Sequence, residues 1–373
     1  MQPNPFLGVL LHSIGAFSSS SCYTPQKQTK LWAWEVYWLM TATSAWLVLP
    51  IVVAFLTIPD YVEVLQSCPD VFKWRSFGLG VIYGFGGLMF GLGIRYIGFS
   101  LNYAIAIGFS ACLGTVSPLL WHPNKGFTPN LIVEKFSSVP GLIILAGILF
   151  AVAGIAVCGY AGWLRERSGG DTPSQYSFKI GVPLAVMAGV LSSVFAYALL
   201  AGEPIEQTAL EGGASKLLKM NAIYPFSNGG AYVVSFIWCV FLIRRNGCAG
   251  QLIRLPGEKV GTLVFYYLMA ALSGAFWYFQ FFFYGMGHWH MGERFGFTSW
   301  VLHMSMLILF SNVYGWLFRE WDGVGPLPRR VLHLGMAVIV VATLIITYGN
   351  WRGEQAEIEA PQQAATRQAA LLQ

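Results

Sequence analysis

Ten predominantly apolar stretches run the length of the chain, near 6–24, 35–56, 74–93, 97–120, 139–161, 179–201, 221–243, 260–285, 296–318 and 329–350. Each approaches the ~20 residues that a helix needs to cross a hydrocarbon core. In lipid such a run must satisfy its own backbone N–H and C=O groups, which a helix does. Composition agrees: 10% of the 373 residues are charged and the mean hydropathy is +0.58, against roughly 25% charged residues in soluble domains. A water-soluble fold is excluded on these grounds.

Short polar segments separate the runs, among them "TIPD", "RERSGGDTPSQ", "RRNGCAGQLIRLPGEK" and "DGVGPLPRR", and none has room for a folded domain. The first run lacks a basic leader and its serine-rich end enters a cationic loop, so it is expected to be a mature helix and not a signal peptide. After Trp351 the chain is polar and rich in Ala and Gln, and is expected to be a mobile tail or short surface helix. A net charge of +5 is too diffuse for a nucleic-acid footprint and suits anionic lipid headgroups. Loops after odd-numbered helices carry 13 of the 22 basic residues, which by the positive-inside rule places them in the cytoplasm and both termini outside. The six cysteines show no CxxC and no metal-ligand spacing, and four lie inside apolar runs as small hydrophobes.

The chain has an internal echo. "GAFSSSSCY" at 15–23 and "GVLSSVFAY" at 189–197 share a glycine, a serine pair and a tyrosine in register, each in the first helix of a five-helix half. Five is odd, so the second half enters the membrane the opposite way round. The expected fold is an all-α integral membrane protein of ten transmembrane helices in two inverted five-helix repeats. Residues 1–161 form the first repeat, 162–178 a connecting loop, 179–350 the second repeat and 351–373 a polar tail. Such repeats place a substrate site near the bilayer midplane between the halves. The alternative is that two packing helices converged on small residues, which helix contacts favour.

In "WYFQFFFYGMGHWHMG", residues 277–292, one amide interrupts an aromatic run. On a helix Trp277, Gln280, Phe281, Tyr284 and His288 share a face. Amides and imidazoles read sugar hydroxyls, and aromatic plates suit the C–H faces of a sugar ring, so the stripe resembles half a carbohydrate site. An interhelical hydrogen bond from Gln280 is the competing reading. Compatible groups are His12 and Tyr23 in the first helix, Asn102 in the fourth, Asn228 with Tyr224 and Tyr232 in the seventh, and Trp300 and His303 in the ninth. His12 and His303 are the deepest ionisable groups, whereas Glu35, Glu203 and Glu320 sit at helix ends. If protons are coupled to transport, His303, His12 or Glu35 is expected to carry them. There is no HExxH and no GxSxG, and the i, i+2 imidazoles of "HWH" point apart on a helix, so neither an enzyme nor a metal site is expected.

"WYFQFFFYGMGH" at 277–288, "SWVLHMS" at 299–305, "REW" at 319–321, "RYIG" at 95–98 and "CYTPQKQTKLWAWEVYW" at 22–38 resemble the L-rhamnose/proton symporter family, within the drug/metabolite transporter superfamily. The resemblance spans roughly residues 6–350. It implies a multi-pass protein of a bacterial inner membrane that takes up L-rhamnose or a similar monosaccharide by alternating access, with the proton as coupling ion and no other cofactor. An exporter of metabolites or drugs from the same superfamily is the alternative. The family's third helix is expected to carry asparagines where this chain has Gly86, Gly87, Leu88 and Met89. Sugar and protons are the implied partners, with no nucleic acid and an open oligomeric state.

Overall fold

A computed structural model describes residues 2–169, 177–319 and 321–371. Residues 170–176 of the expected connecting loop, together with Glu320, lie outside the described residues, and residues 162–169 are helical. Ten described helices have 17 residues or more: α1 Pro5–Ser21, α2 Trp34–Thr57, α3 Asp70–Ile97, α4 Phe99–Leu120, α5 Val139–Gly169, α6 Phe178–Ala201, α7 Tyr224–Arg245, α8 Val260–His290, α9 Ser299–Leu317 and α10 Pro326–Leu371. Among the described residues nine of these, α2 to α10, are long and apolar enough to cross a membrane, which makes this a multi-pass membrane protein.

Local chemistry explains several boundaries. The Asn4 side chain accepts from the amides of Phe6 and Leu7 at 3.1 and 3.2 Å, and Pro5 stands where a missing N–H costs nothing, so α1 starts there. Within α2 a π-turn, Thr43–Val48, precedes Pro50. The proline ring would crowd the carbonyl four residues back, and a widened turn relieves it. Helix α8 runs to His290, beyond its expected end near 285, and so carries the whole aromatic stripe. The polar stretch after Asn350 continues α10 to Leu371 without a break, in keeping with its Ala, Glu and Gln content. Between α4 and α5 the chain makes a small hairpin, Trp121–His122 paired with Gly126–Phe127, and a helix, Asn130–Phe136.

Helix α1 packs between α8 and α9, α6 between α3 and α4, and α5 lies along α10. Helix α2 packs on α7 and α8, and α7 also packs on α3. Gly15 permits the α1–α8 approach, since a Cβ there would lie 3.1 Å from the Gln280 carbonyl oxygen. Loops following even-numbered helices gather at one end. There Asn221 Nδ2 donates to Thr57 Oγ1 at 3.1 Å, Tyr61 donates to the Ala222 carbonyl at 2.9 Å, and Asn124 Nδ2 donates to the Leu200 carbonyl at 2.9 Å. At the other end Trp32 Nε1 donates to the Gln251 carbonyl at 3.0 Å, and the Lys27 ammonium lies 3.4 Å over the Phe318 ring.

Candidate functional site

The α8 stripe forms as its spacing requires, and α1 and α9 supply its partners. Gln280 is 6% exposed, and its Oε1 lies 3.4 Å from His303 Nε2 on α9. The Tyr284 ring is the hub, with centroids 5.1 Å from His12, 5.5 Å from His303, 6.0 Å from Trp300 and 6.0 Å from His288. His288 Nδ1 is 3.1 Å from Ser299 Oγ, and Trp300 Nε1 donates to the Ser110 carbonyl at 2.8 Å, which ties α9 to α4. His12 is fully buried, and neither ring nitrogen has a hydrogen-bond partner among the described residues. A buried polar group left unsatisfied costs about 1–3 kcal/mol. These nitrogens are therefore open to water or a ligand hydroxyl.

Toward the other end of the stripe Trp277 stands edge-on to Tyr23, Trp38 and Trp46, at 6.4, 6.0 and 6.0 Å between centroids. The π-turn in α2 carries Trp46 into this group. Tyr23 is 42% exposed although it packs on Trp277. On α3, Tyr83 touches Phe195 at 4.7 Å, and Phe195 in turn lies 4.9 Å from Phe281 and 6.1 Å from Trp300. Gly87 and Gly91 follow Tyr83 at i+4 and i+8, turned between α6 and α7, and nothing lies within 4 Å of where their Cβ atoms would be. Aromatic rings thus border the His12, Gln280, Tyr284 and His303 cluster, and open space lies beside Gly87 and Gly91 on α3.

Helix α7 adds the stripe Tyr224, Asn228 and Tyr232. Tyr224 donates to the Phe281 carbonyl at 2.6 Å and Thr43 Oγ1 lies 3.4 Å from the Tyr232 hydroxyl. Asn228 sits between them, fully buried, with neither amide atom partnered among the described residues. Asn102 and Glu35 are placed elsewhere. Asn102 Nδ2 donates to the Phe90 carbonyl at 3.0 Å, bridging α4 to α3. Glu35 Oε1 accepts from Asn246 Nδ2 at 2.6 Å and lies 3.3 Å from Cys248 Sγ, within a separate cluster at the odd-loop end.

Some participants carried no readable signal. Trp38, Trp46, Ser110 and Ser299 reach the site only because distant helices converge. Glu206, on the short helix Glu203–Glu211, is 7% exposed and lies 2.7 Å from Lys219 Nζ. Its one clue was position, three residues after Glu203 on the face of buried Ile205 and Ala209. Among the described residues no group of three His, Cys, Asp or Glu side chains assembles for a metal ion.

A family model described as L-rhamnose-proton symport protein matches residues 1–351. The chain is 35% identical over 349 residues to the L-rhamnose-proton symporter of Pectobacterium atrosepticum, covering 93% of this chain and 98% of the relative. It is 34% identical over 345 residues to that of Cronobacter sakazakii, and 32% identical over 343 residues to that of Mannheimia succiniciproducens, covering 92% of this chain and 97% of the relative in both cases.

Proposed function

Because the chain belongs to the L-rhamnose-proton symport protein family, we propose that it takes up L-rhamnose or a closely similar monosaccharide across a bacterial inner membrane, driven by inward proton movement. The family is one of transporters, not enzymes. The observation that carries the reading is the polar cluster walled by aromatic rings: a Gln280–His303 contact, the open His12 nitrogens and the unpartnered Asn228 amide, beside Trp277, Tyr284 and Trp300. Hydroxyls of a small sugar satisfy such groups, and the rings receive its C–H faces. Gln280, His288, Asn228 and the rings of Tyr23, Trp277, Tyr284 and Trp300 are assigned to the sugar. We read Asn102 and Glu35 as groups that hold helices together, from the partners they make.

Two inverted five-helix repeats, ten spans with α1 included, and membership of the drug/metabolite transporter superfamily belong to the same proposal. Packing supports the repeats. Exchanging α1–α5 with α6–α10 turns the α1–α8 contact into α6–α3, α1–α9 into α6–α4 and α2–α8 into α7–α3, and every one of these pairs packs. Two halves related in this way exchange roles when the accessible end changes.

His303 is assigned the proton, with His12 as its neighbour at 6.0 Å between ring centroids. A neutral imidazole accepts a bond from a sugar hydroxyl or from water, whereas an imidazolium only donates. Protonation therefore changes which sugar pose and which conformation are favoured. The membrane potential supplies about 2.3 kcal/mol per charge per 100 mV, roughly a 50-fold concentration gradient.

The test is uptake of labelled L-rhamnose, L-fucose, L-lyxose and D-mannose into energised vesicles, with and without a protonophore. Accumulation of L-rhamnose that collapses with the proton gradient is the expected result. Accumulation indifferent to the protonophore would remove the symport reading, and exclusion of L-rhamnose in favour of another sugar would replace the substrate.

A further inference from the structure

Helices α4 and α5 meet along small residues. On α4 Ala104, Gly108 and Cys112 recur every four positions and share a face, and on α5 Ala156 and Gly159 answer them. A Cβ on Gly159 would overlap that of Ala104, so the two helices touch there. One turn further along α4 a Cβ on Gly108 would have Ile155 as its nearest neighbour, at 3.8 Å, so the surfaces part. The result is an apolar groove of about 880 Å³, and among the described residues that line it Arg167 alone is charged. Phe109, Tyr160 and Phe178 line it and are exposed, which in a bilayer means exposed to lipid.

Arg167 ends the apolar span of α5, Val139–Arg167, and the groove follows that helix from Arg167 back to Val152. At 1.5 Å per residue this is a depth of about 22 Å. It equals half of the roughly 40–45 Å that a bilayer measures with its headgroups, so the groove spans one leaflet. A transmembrane helix from a second copy would need the full depth. The Arg167 guanidinium is exposed and lies 4.5 Å over the Trp163 ring. Among the described residues it has no carboxylate within ion-pair distance. The adjoining Glu166 turns its carboxylate to Gly98, between α3 and α4.

We propose that this groove holds one anionic phospholipid, with an acyl chain lying along α4 and α5 as far as Leu113 and Val152 and the phosphate at Arg167. Charge complementarity selects the occupant. A guanidinium offers its N–H fork to a phosphate, and the indole beneath it supports the plane from one side while leaving that fork free. Indoles also favour the depth of the headgroups. A zwitterionic headgroup brings its own ammonium, which opposes Arg167 and offsets the phosphate, so a lipid of net negative charge is held better. The odd-loop end is expected in the cytoplasm, and the cytoplasmic leaflet is the one whose anionic lipids attract basic groups. The inference stands apart from the sugar assignment, because the groove shares no residue with the Gln280 cluster.

The experiment is native mass spectrometry of the full chain in detergent, titrated with phosphatidylglycerol and, separately, with phosphatidylcholine of the same acyl chains. The first equivalent of phosphatidylglycerol is expected to bind about fivefold more tightly than that of phosphatidylcholine, the effect of one basic residue near an anionic surface. Arg167→Gln, an exposed change that leaves the core packing alone, should remove the difference. Gly108→Leu, which fills the groove, should weaken the first equivalent of both lipids. Arg245→Gln, exposed at the same end but on α7, should keep the parent's preference. Equal affinity of the parent for the two lipids overturns the proposal, as does a preference that survives Arg167→Gln. Unchanged binding by Gly108→Leu takes the acyl chain out of the groove and overturns it as well. Loss of the preference in Arg245→Gln would make it a property of the whole basic end, and a dimer that Gly108→Leu splits would put a second copy in the groove; either result also defeats the proposal.

Discussion

Gln280 occupies a buried position in an aromatic helix, and its nearest polar partner is an imidazole at 3.4 Å, a long contact. A side chain kept only to join helices would be expected to close that distance, whereas one that shares a ligand hydroxyl with His303 need not. Gln280→Ala is therefore expected to weaken L-rhamnose binding by about 1–3 kcal/mol and leave the fold intact. Thermal unfolding with and without the sugar checks this, and a variant that loses stability without sugar yet binds normally would make Gln280 an interhelical tie. His303→Gln should abolish energised accumulation while downhill exchange of labelled for unlabelled sugar persists, because exchange needs binding and no net proton movement. Full accumulation by that variant would move the proton to His12. The α8 stripe was legible in the sequence because helical periodicity alone puts Gln280, Tyr284 and His288 on one face. The approach of His12 to His303 was not, since it depends on how three helices distant in sequence converge. Asn102 illustrates the limit further: an asparagine in an apolar run signals a buried partner, and only the fold shows that the partner is the Phe90 carbonyl.

At the scale of elements, α1 is the helix whose placement decides the site, because it wedges His12 between α8 and α9. Its Gly15 stands at a close approach, since a Cβ there would lie 3.1 Å from the Gln280 carbonyl oxygen. Gly15→Leu should separate α1 from α8, destabilise the protein by about 1–3 kcal/mol through overpacking and depress sugar binding together with stability. Gly87→Ala on α3 is the contrast. No atom waits within 4 Å of the new methyl, so the helix should gain about 0.5–1 kcal/mol from the loss of glycine freedom. Denaturation midpoints of the two variants in one detergent should move in opposite directions, and a shared direction would contradict the packing described here. The π-turn that brings Trp46 to Trp277 left a trace in Pro50, but a proline in an apolar run specifies a disturbance without saying which residue it redirects. The short helix Glu203–Glu211 was hidden for a related reason. It is too short to show a clear period, and its buried acid is explained only by Lys219, which lies across a turn.

For the whole molecule, the two ends differ in a way that permits a test of orientation. At the even-loop end the Lys219–Ala222 turn is bonded to Thr57 and Tyr61, while toward the odd-loop end Tyr23 is exposed and open space lies beside Gly87 and Gly91. Odd loops also carry 13 of the 22 basic residues, and by the positive-inside rule they are expected in the cytoplasm. Taken together, we propose that the sugar enters a chamber beside Gly87 and Gly91 from the odd-loop end and that this end faces the cytoplasm. A cysteine introduced by Gly91→Cys, in a background with the partly buried Cys112 replaced by Ser, would have no atom within 4 Å of its Cβ, unlike the five buried native cysteines. A membrane-impermeant thiol reagent is expected to modify it rapidly in inside-out vesicles and slowly in right-side-out ones, and saturating L-rhamnose should slow the reaction by occupying the chamber. Reversed sidedness would invert the orientation and leave the chamber in place. Equal reactivity from both sides would mean that the bonded Lys219–Ala222 turn does not close the even end, and equal reactivity with and without sugar would remove the proposed chamber from the sugar's path.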